Sequence, residues 1–217
     1  MGMTSDKPDK PLRAGSAPKR AAILAAAREL FLADGFDRTS VDAVSARAEV
    51  SKRTVYDYFG DKRALLLAVI EASGQSLLDS VKAEIKEHLT EFDDLEEALI
   101  AFSTRIATAT IGSSDYVALR RLVSMEAVHM PEQLEHWMDD EPEEAVAERM
   151  AEFGRRGLLE VPDPRLAADH FIALTFSPVF NAQGKSREMD DRREQRLLVE
   201  GVRAFLRAYT PRSDQVR

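Results

Sequence analysis

Lys52, Arg53, Thr54 and Tyr56 stand together in one short stretch, with Ser51 before them and Tyr58 and Lys62 after. These side chains suit recognition of nucleic acid better than bond-making. Cations and hydroxyls position a phosphate backbone, while a guanidinium donates bidentate to guanine and a threonine methyl meets thymine. Asp57 breaks the pattern. It would repel phosphate, accept from a cytosine amino group, or pair with Arg53 in the free protein. Reactive chemistry has no comparable cluster: the chain holds no Cys, no G-x-S-x-G and no glycine-rich phosphate loop. No catalytic residue and no cofactor are therefore assigned. His129, His136 and His170 with Glu126 are spaced too irregularly for a metal site, so no metal ligand is assigned either.

Side chains of this kind act only when a helix holds them outward, and the flanking residues supply that helix. Ser51 is a preferred N-cap, and Val50 before it is placed to pack on Val55 as a hydrophobic staple. Val55 and Phe59, four apart, point inward and leave Lys52, Arg53, Thr54, Tyr56 and Asp57 outside. Gly60 ends the helix and Asp61 caps the next. Lys62 in the following first turn opposes the helix dipole, a conflict that a bound phosphate would remove. Upstream, Thr39 is read as the cap of a helix with Val41, Val44 and Ala48 inward and Asp42 reaching back to the cap. The three residues Ala48, Glu49 and Val50 form the turn between the two helices. Two short helices joined by a tight turn are the helix-turn-helix pattern, whose second helix enters a DNA major groove.

The segment from about Arg20 to Glu71, a quarter of the chain, resembles the DNA-binding domain of the TetR family of bacterial transcriptional regulators. Leu30-Phe31 before Gly35-Phe36, then Thr39-Ser40, Val50-Ser51, Val55-Tyr56 with Tyr58-Phe59, and Asp61-Lys62 carry the resemblance in order and spacing. It implies an all-α homodimer that represses from a palindromic double-stranded DNA operator. A variable C-terminal helical bundle would bind a small-molecule effector and dimerise. It also marks Thr39, Ser51, Tyr56, Tyr58 and Lys62 as phosphate-positioning residues. The family usually has Gly where this chain has Glu49. A positive φ there would cost a non-Gly side chain about 1 kcal/mol.

Length and charge set limits on this reading. A chain of 217 residues is long enough for a real core. Residues 1–63 hold 12 Lys and Arg against 9 Asp and Glu, a net of +3. The remainder holds 18 against 29, a net of −11, consistent with −8 for the whole. A mildly basic head on an acidic body still binds phosphate locally, because screening limits the reach of charge to about 8–10 Å. No apolar run approaches the roughly 20 residues of a spanning helix, and this, with the absence of Cys and of a leader-like apolar segment, fits a cytoplasmic protein with no membrane partner.

The chain then divides as follows. Residues 1–17 are polar and Pro-rich, a disordered arm whose Lys7, Lys10 and Arg13, with Lys19 and Arg20 beyond it, either touch DNA or stay solvated. Residues 18–63 are the three-helix head. Its first helix begins near Pro18 on the stripe Ile23, Leu24, Ala27, Leu30 and Phe31, and ends at Gly35 with Phe36 folded on Phe31. Residues 64–217 are the effector-binding and dimerisation domain, and helix 64–88 connects the two with Leu65, Leu66, Val69, Ile70, Leu77, Val81 and Ile85 inward.

Further helices follow to Gly112, before Pro131, from Pro142 to Phe153, and from Pro164 to Pro178, with a short amphipathic turn at Leu134, Trp137 and Met138. The last runs from about Asp191 to Tyr209. Phe102, Ile106, Leu122, Met125, Trp137, Met150, Phe171 and Phe176 are candidate pocket residues or simply core. Phe171, Leu174, Leu198, Gly201, Val202, Phe205 and Tyr209 are the candidate dimer interface, with an intramolecular core as the alternative. A helical interaction module that does not bind DNA is the competing function.

Overall fold

A computed structural model describes residues 16–111, 113–131, 141–183 and 191–211, and among these the fold is all-α. In chain order the helices are α1 (Ser16–Asp34), α2 (Val41–Arg47), α3 (Lys52–Phe59), α4 (Lys62–His88), α5 (Leu95–Ile106), α6 (Ser114–Glu126), α7 (Glu141–Arg155), α8 (Pro164–Gln183) and α9 (Asp191–Tyr209). One π-helical turn, Ala107–Ile111, follows α5. Trp137 and residues 1–15 lie outside the described residues. Ser16 and Ala17, assigned by sequence to the arm, belong to α1.

Local chemistry accounts for the head. Gly35 takes φ 83°, its N–H donates to the Phe31 carbonyl, and the Phe36 ring stands 5.8 Å from that of Phe31. The cap of α2 is Ser40, whose Oγ accepts from the Ala43 N–H at 3.1 Å, and not Thr39 as read from sequence. Thr39 is only 3% exposed, because its hydroxyl donates inward to the carbonyls of Gly35 (2.8 Å) and Leu30 (3.2 Å). Helix α2 ends in a Schellman motif: Val50 N–H donates to the Ser45 carbonyl and Glu49 N–H to that of Ala46. Glu49 occupies the left-handed position at φ 54°, where glycine is usual. Ser51 and Asp61 cap α3 and α4 as expected, and Gly60 separates them at φ 77°.

Two apolar cores result, and α4 belongs to both. Its Leu65, Leu66, Val69 and Ile70 join α1–α3 in the head core, while Leu78, Val81 and Ile85 join α5, α7, α8 and α9 in the body core. Leu77, assigned inward from sequence, is partly buried, and Leu78 takes the core position. Among the described residues α4 alone is long and apolar enough to cross a membrane. Seven of its residues are buried in the two cores, which explains that apolarity by packing.

Helix α6 departs from the expected layout. Leu119, Leu122 and Val123 pack into the head core with Met130, and Asp115 accepts an ion pair from Arg28 of α1 at 3.1 Å. Leu122 therefore cannot line a pocket in the body. Met125, a candidate pocket residue, is 61% exposed, and Val128 just past the helix end is 79% exposed, so neither lies in a core.

Pro178, where the sequence predicts that the helix ends or kinks, does not end it: the helix continues to Gln183. Proline removes the N–H that would reach the Leu174 carbonyl. Gly201 of α9 lies against that carbonyl: a Cβ built at 201 would be 2.3 Å from the oxygen. The vacancy left by Pro178 and the absent side chain of Gly201 bring α8 and α9 into backbone contact. Phe171, Leu198, Val202 and Phe205, proposed from sequence for the dimer surface, are buried by this packing inside one subunit, as is Gly201. Their large apolar faces are satisfied by their own chain. Leu174 is exposed at 38%, and Tyr209 is half-buried, stacked on Phe205 at 4.6 Å.

Candidate nucleic-acid interface

Helix α3 presents its polar side to solvent because Val55 anchors the opposite side in the head core. Ser51 Oγ accepts from the Thr54 N–H at 3.0 Å and shares a second hydrogen bond with the Thr54 hydroxyl at 2.8 Å. Arg53 is the most outward of the candidates, its side chain 90% exposed. Tyr56 is exposed. Tyr58 is half-buried, its ring 6.2 Å from Phe59, so it supports the head as well as facing its rim.

Both cations of the helix already face carboxylates. Lys52 donates from Nζ to Asp42 Oδ2 at 2.9 Å, and Arg53 Nε stands 3.8 Å from Asp57 Oδ2. The hydrogen bond and charge of Asp42 hold the Lys52 ammonium above its ordinary pKa, so it stays a cation at any physiological pH. Asp42 was read from sequence as a cap partner. With Ser40 as the cap it is instead free to reach across to α3.

Two residues expected at the DNA surface have their polar atoms turned inward. Thr39 is buried, as above. Lys62 donates from Nζ to the carbonyls of Phe36 (2.9 Å) and Thr39 (3.1 Å), and it sits 4.2 Å from the centre of the Phe36 ring. The conflict between this cation and the α4 dipole is thus relieved by the loop between α1 and α2, without phosphate. Lys62→Met is expected to destabilise the protein by about 1–3 kcal/mol, because two loop carbonyls lose a charged donor. Urea unfolding measures this; a phosphate contact would instead lower the salt dependence of DNA binding and leave stability unchanged.

The proposed pocket residues separate into three groups. Phe102, Ile106 and Phe176 do line one cavity in the body, with Leu77, Val81 and Tyr116 among the other walls, and its volume is about 80 Å³. Met150 and Phe171 are fully buried core. Leu122 and Met125 belong elsewhere, as described, and Trp137 lies outside the described residues. Tyr116 carried no functional assignment in the sequence; its burial, which pushes the phenol above its ordinary pKa, has no sequence signature beyond an aromatic on an apolar stripe. Among the described residues no three His, Asp or Glu gather where they could hold a metal.

This arrangement defines a helix-turn-helix protein with a helical body. The profile described as bacterial regulatory proteins of the tetR family matches residues 23–69, and that of the C-terminal domain of AefR-like transcriptional repressors matches residues 97–211. The chain belongs to the TetR family. A TetR-family transcriptional regulator from Mesorhizobium loti superposes with a TM-score of 0.85 at 27% identity, over 92% of this chain and 100% of that one. The flavonoid-responsive regulator FrrA superposes with a TM-score of 0.68 at 29% identity, over 90% and 98%. The DNA-binding transcriptional repressor TetR of Mycobacteroides abscessus is 40% identical over 63 residues, 29% of this chain and 33% of that protein. The chain spans less than half the length of the curated relatives it matches.

Proposed function

We propose that this protein is a homodimeric, cytoplasmic transcriptional repressor that binds a palindromic operator and is released by a small-molecule effector. The observation carrying this reading is α3 itself, capped at both ends, anchored by Val55 and presenting Arg53 and Tyr56 to solvent with Thr54 half-buried beside them. Lys52 becomes available to DNA when Asp42 releases it. In this reading residues 18–63 read DNA, residues 64–217 bind effector and dimerise, and the connecting helix 64–88 transmits between them. The match of residues 97–211 to AefR-like repressors supports repression, and the flavonoid response of FrrA supports a small-molecule effector.

A second copy would dock on the outer sides of α8 and α9, where Leu166 and Leu174 are exposed and Val199 is half-buried. Two heads about 34–36 Å apart then fit successive major grooves. An effector favouring a different head spacing lowers operator affinity in proportion to its preference between the two states. At about 80 Å³ the body cavity is below the roughly 300 Å³ of ordinary ligand sites, so binding there requires the helices around it to open.

The purified protein should bind one palindromic fragment from around its own coding region tightly, with affinity falling steeply between two salt concentrations, and bind a random fragment weakly. Equal weak binding to every fragment, including genomic fragments selected by the protein from a whole-genome pool, would remove the regulator reading.

A further inference from the structure

A larger cavity, about 400 Å³, lies outside the body core where α1, α4 and α6 meet. Its volume falls in the range of small-molecule sites. Leu24, Val69, Leu77, Tyr116 and Leu119 supply apolar walls, and serines of α4 and Ser113 supply hydroxyls. Among the described residues Arg28 is the one charged residue in the lining. Its guanidinium holds Asp115 at 3.1 Å, yet the two side chains remain 43% and 53% exposed. Exposed pairs of this kind contribute little stability, so a better-placed carboxylate can take Asp115's place.

We infer that this cleft binds a small molecule made of an apolar body and a carboxylate, the carboxylate pairing with Arg28 in place of Asp115. The apolar part lies along Leu77 and Tyr116. Those same two residues also line the small body cavity, so they form the partition between the two spaces. Displacement of Asp115 would remove the ion pair between the start of α6 and the head helix α1, leaving the apolar contacts of Leu119, Leu122 and Val123 to hold the two together. Its consequence for DNA rests on the repressor reading; the binding itself does not.

The chain has no cysteine, so Ser76→Cys creates a unique thiol at an exposed position on the cleft wall. Its rate of modification by 5,5′-dithiobis(2-nitrobenzoate), which carries aromatic carboxylates, is compared with that by the uncharged bis(4-nitrophenyl) disulfide. Ser124→Cys, exposed on the outside of α6, corrects for intrinsic reactivity and for the acidic surface. Anionic preference at position 76 relative to position 124 should be about fivefold, the size of one partly exposed ion pair. Arg28→Gln should abolish it, and Asp115→Asn, which frees Arg28 without loosening its cation, should increase it. Equal ratios at positions 76 and 124, or a ratio indifferent to both substitutions, overturns the inference. Operator titration is a separate measurement, so loss of DNA binding and loss of anion preference are told apart.

Discussion

Arg53→Ala is expected to weaken binding to the palindromic operator by at least about 30-fold while leaving the fold as stable as before. The side chain is 90% exposed, and its nearest acid, Asp57, stands 3.8 Å away, beyond a good hydrogen bond. Such a pair contributes next to nothing to folding. In the DNA groove the same guanidinium is worth about 1–3 kcal/mol if it meets guanine, and the symmetric dimer loses it twice, so about 2–6 kcal/mol disappears. Fluorescence anisotropy on operator and random duplexes at two salt concentrations separates the roles. Loss confined to the operator identifies a base contact. Parallel loss on both, with the salt slope smaller by about 2 per dimer, identifies a phosphate contact. Asp57→Asn supplies the opposite sign: without the carboxylate, affinity for random DNA should rise more than affinity for the operator. An Arg53→Ala protein that binds the operator normally would dismiss α3 as the recognition helix.

The head was legible in the sequence because its information is local. Caps at Ser51 and Asp61 and glycines at 35 and 60 act on residues three to five positions away, and the structure contains them, with Val50 packed against the head core that holds Val55. The misplaced cap of α2 is local in origin too: Thr39 and Ser40 are both good caps. What decides between them is the inward pair of carbonyls from Gly35 and Leu30 that takes up the Thr39 hydroxyl. The body was read less well, since helix periodicity gives a face but not its partner. Leu119, Leu122 and Val123 are a correct apolar stripe, yet nothing in their spacing says that they cover the head and not the body core. The stripe on α9 failed in the same way. Leu198, Val202 and Phe205 do need a partner, and α8 and α5 of the same chain provide it. Asp42 shows the third limit, because its ion pair with Lys52 reaches across a turn whose geometry had first to be known, whereas the Arg53–Asp57 pair, four apart on one helix, was among the alternatives open in the sequence.

Gly201 tests that correction most directly, and Gly201→Ala is expected to destabilise the protein by about 3 kcal/mol. An added Cβ would lie 2.3 Å from the Leu174 oxygen, 2.8 Å from its carbonyl carbon and 3.0 Å from the Thr175 α-carbon. All three are backbone atoms, so no side chain can rotate away and α9 must move off α8. The rings of Phe171 and Phe205, 5.2 Å apart across this contact, would separate with it. Overpacking of this kind usually costs about 1–3 kcal/mol and more where the obstacle is rigid. The better helix propensity of alanine returns at most about 1 kcal/mol. For a chain of this size the loss corresponds to roughly 6–12 °C in melting temperature by circular dichroism. If Gly201 lay between subunits, the shift would grow as protein concentration fell, because dissociation would be coupled to unfolding. Packing inside one subunit requires a contribution that stays the same across a hundredfold dilution, with Leu174→Ser, on the exposed side of α8, giving the concentration-dependent change instead.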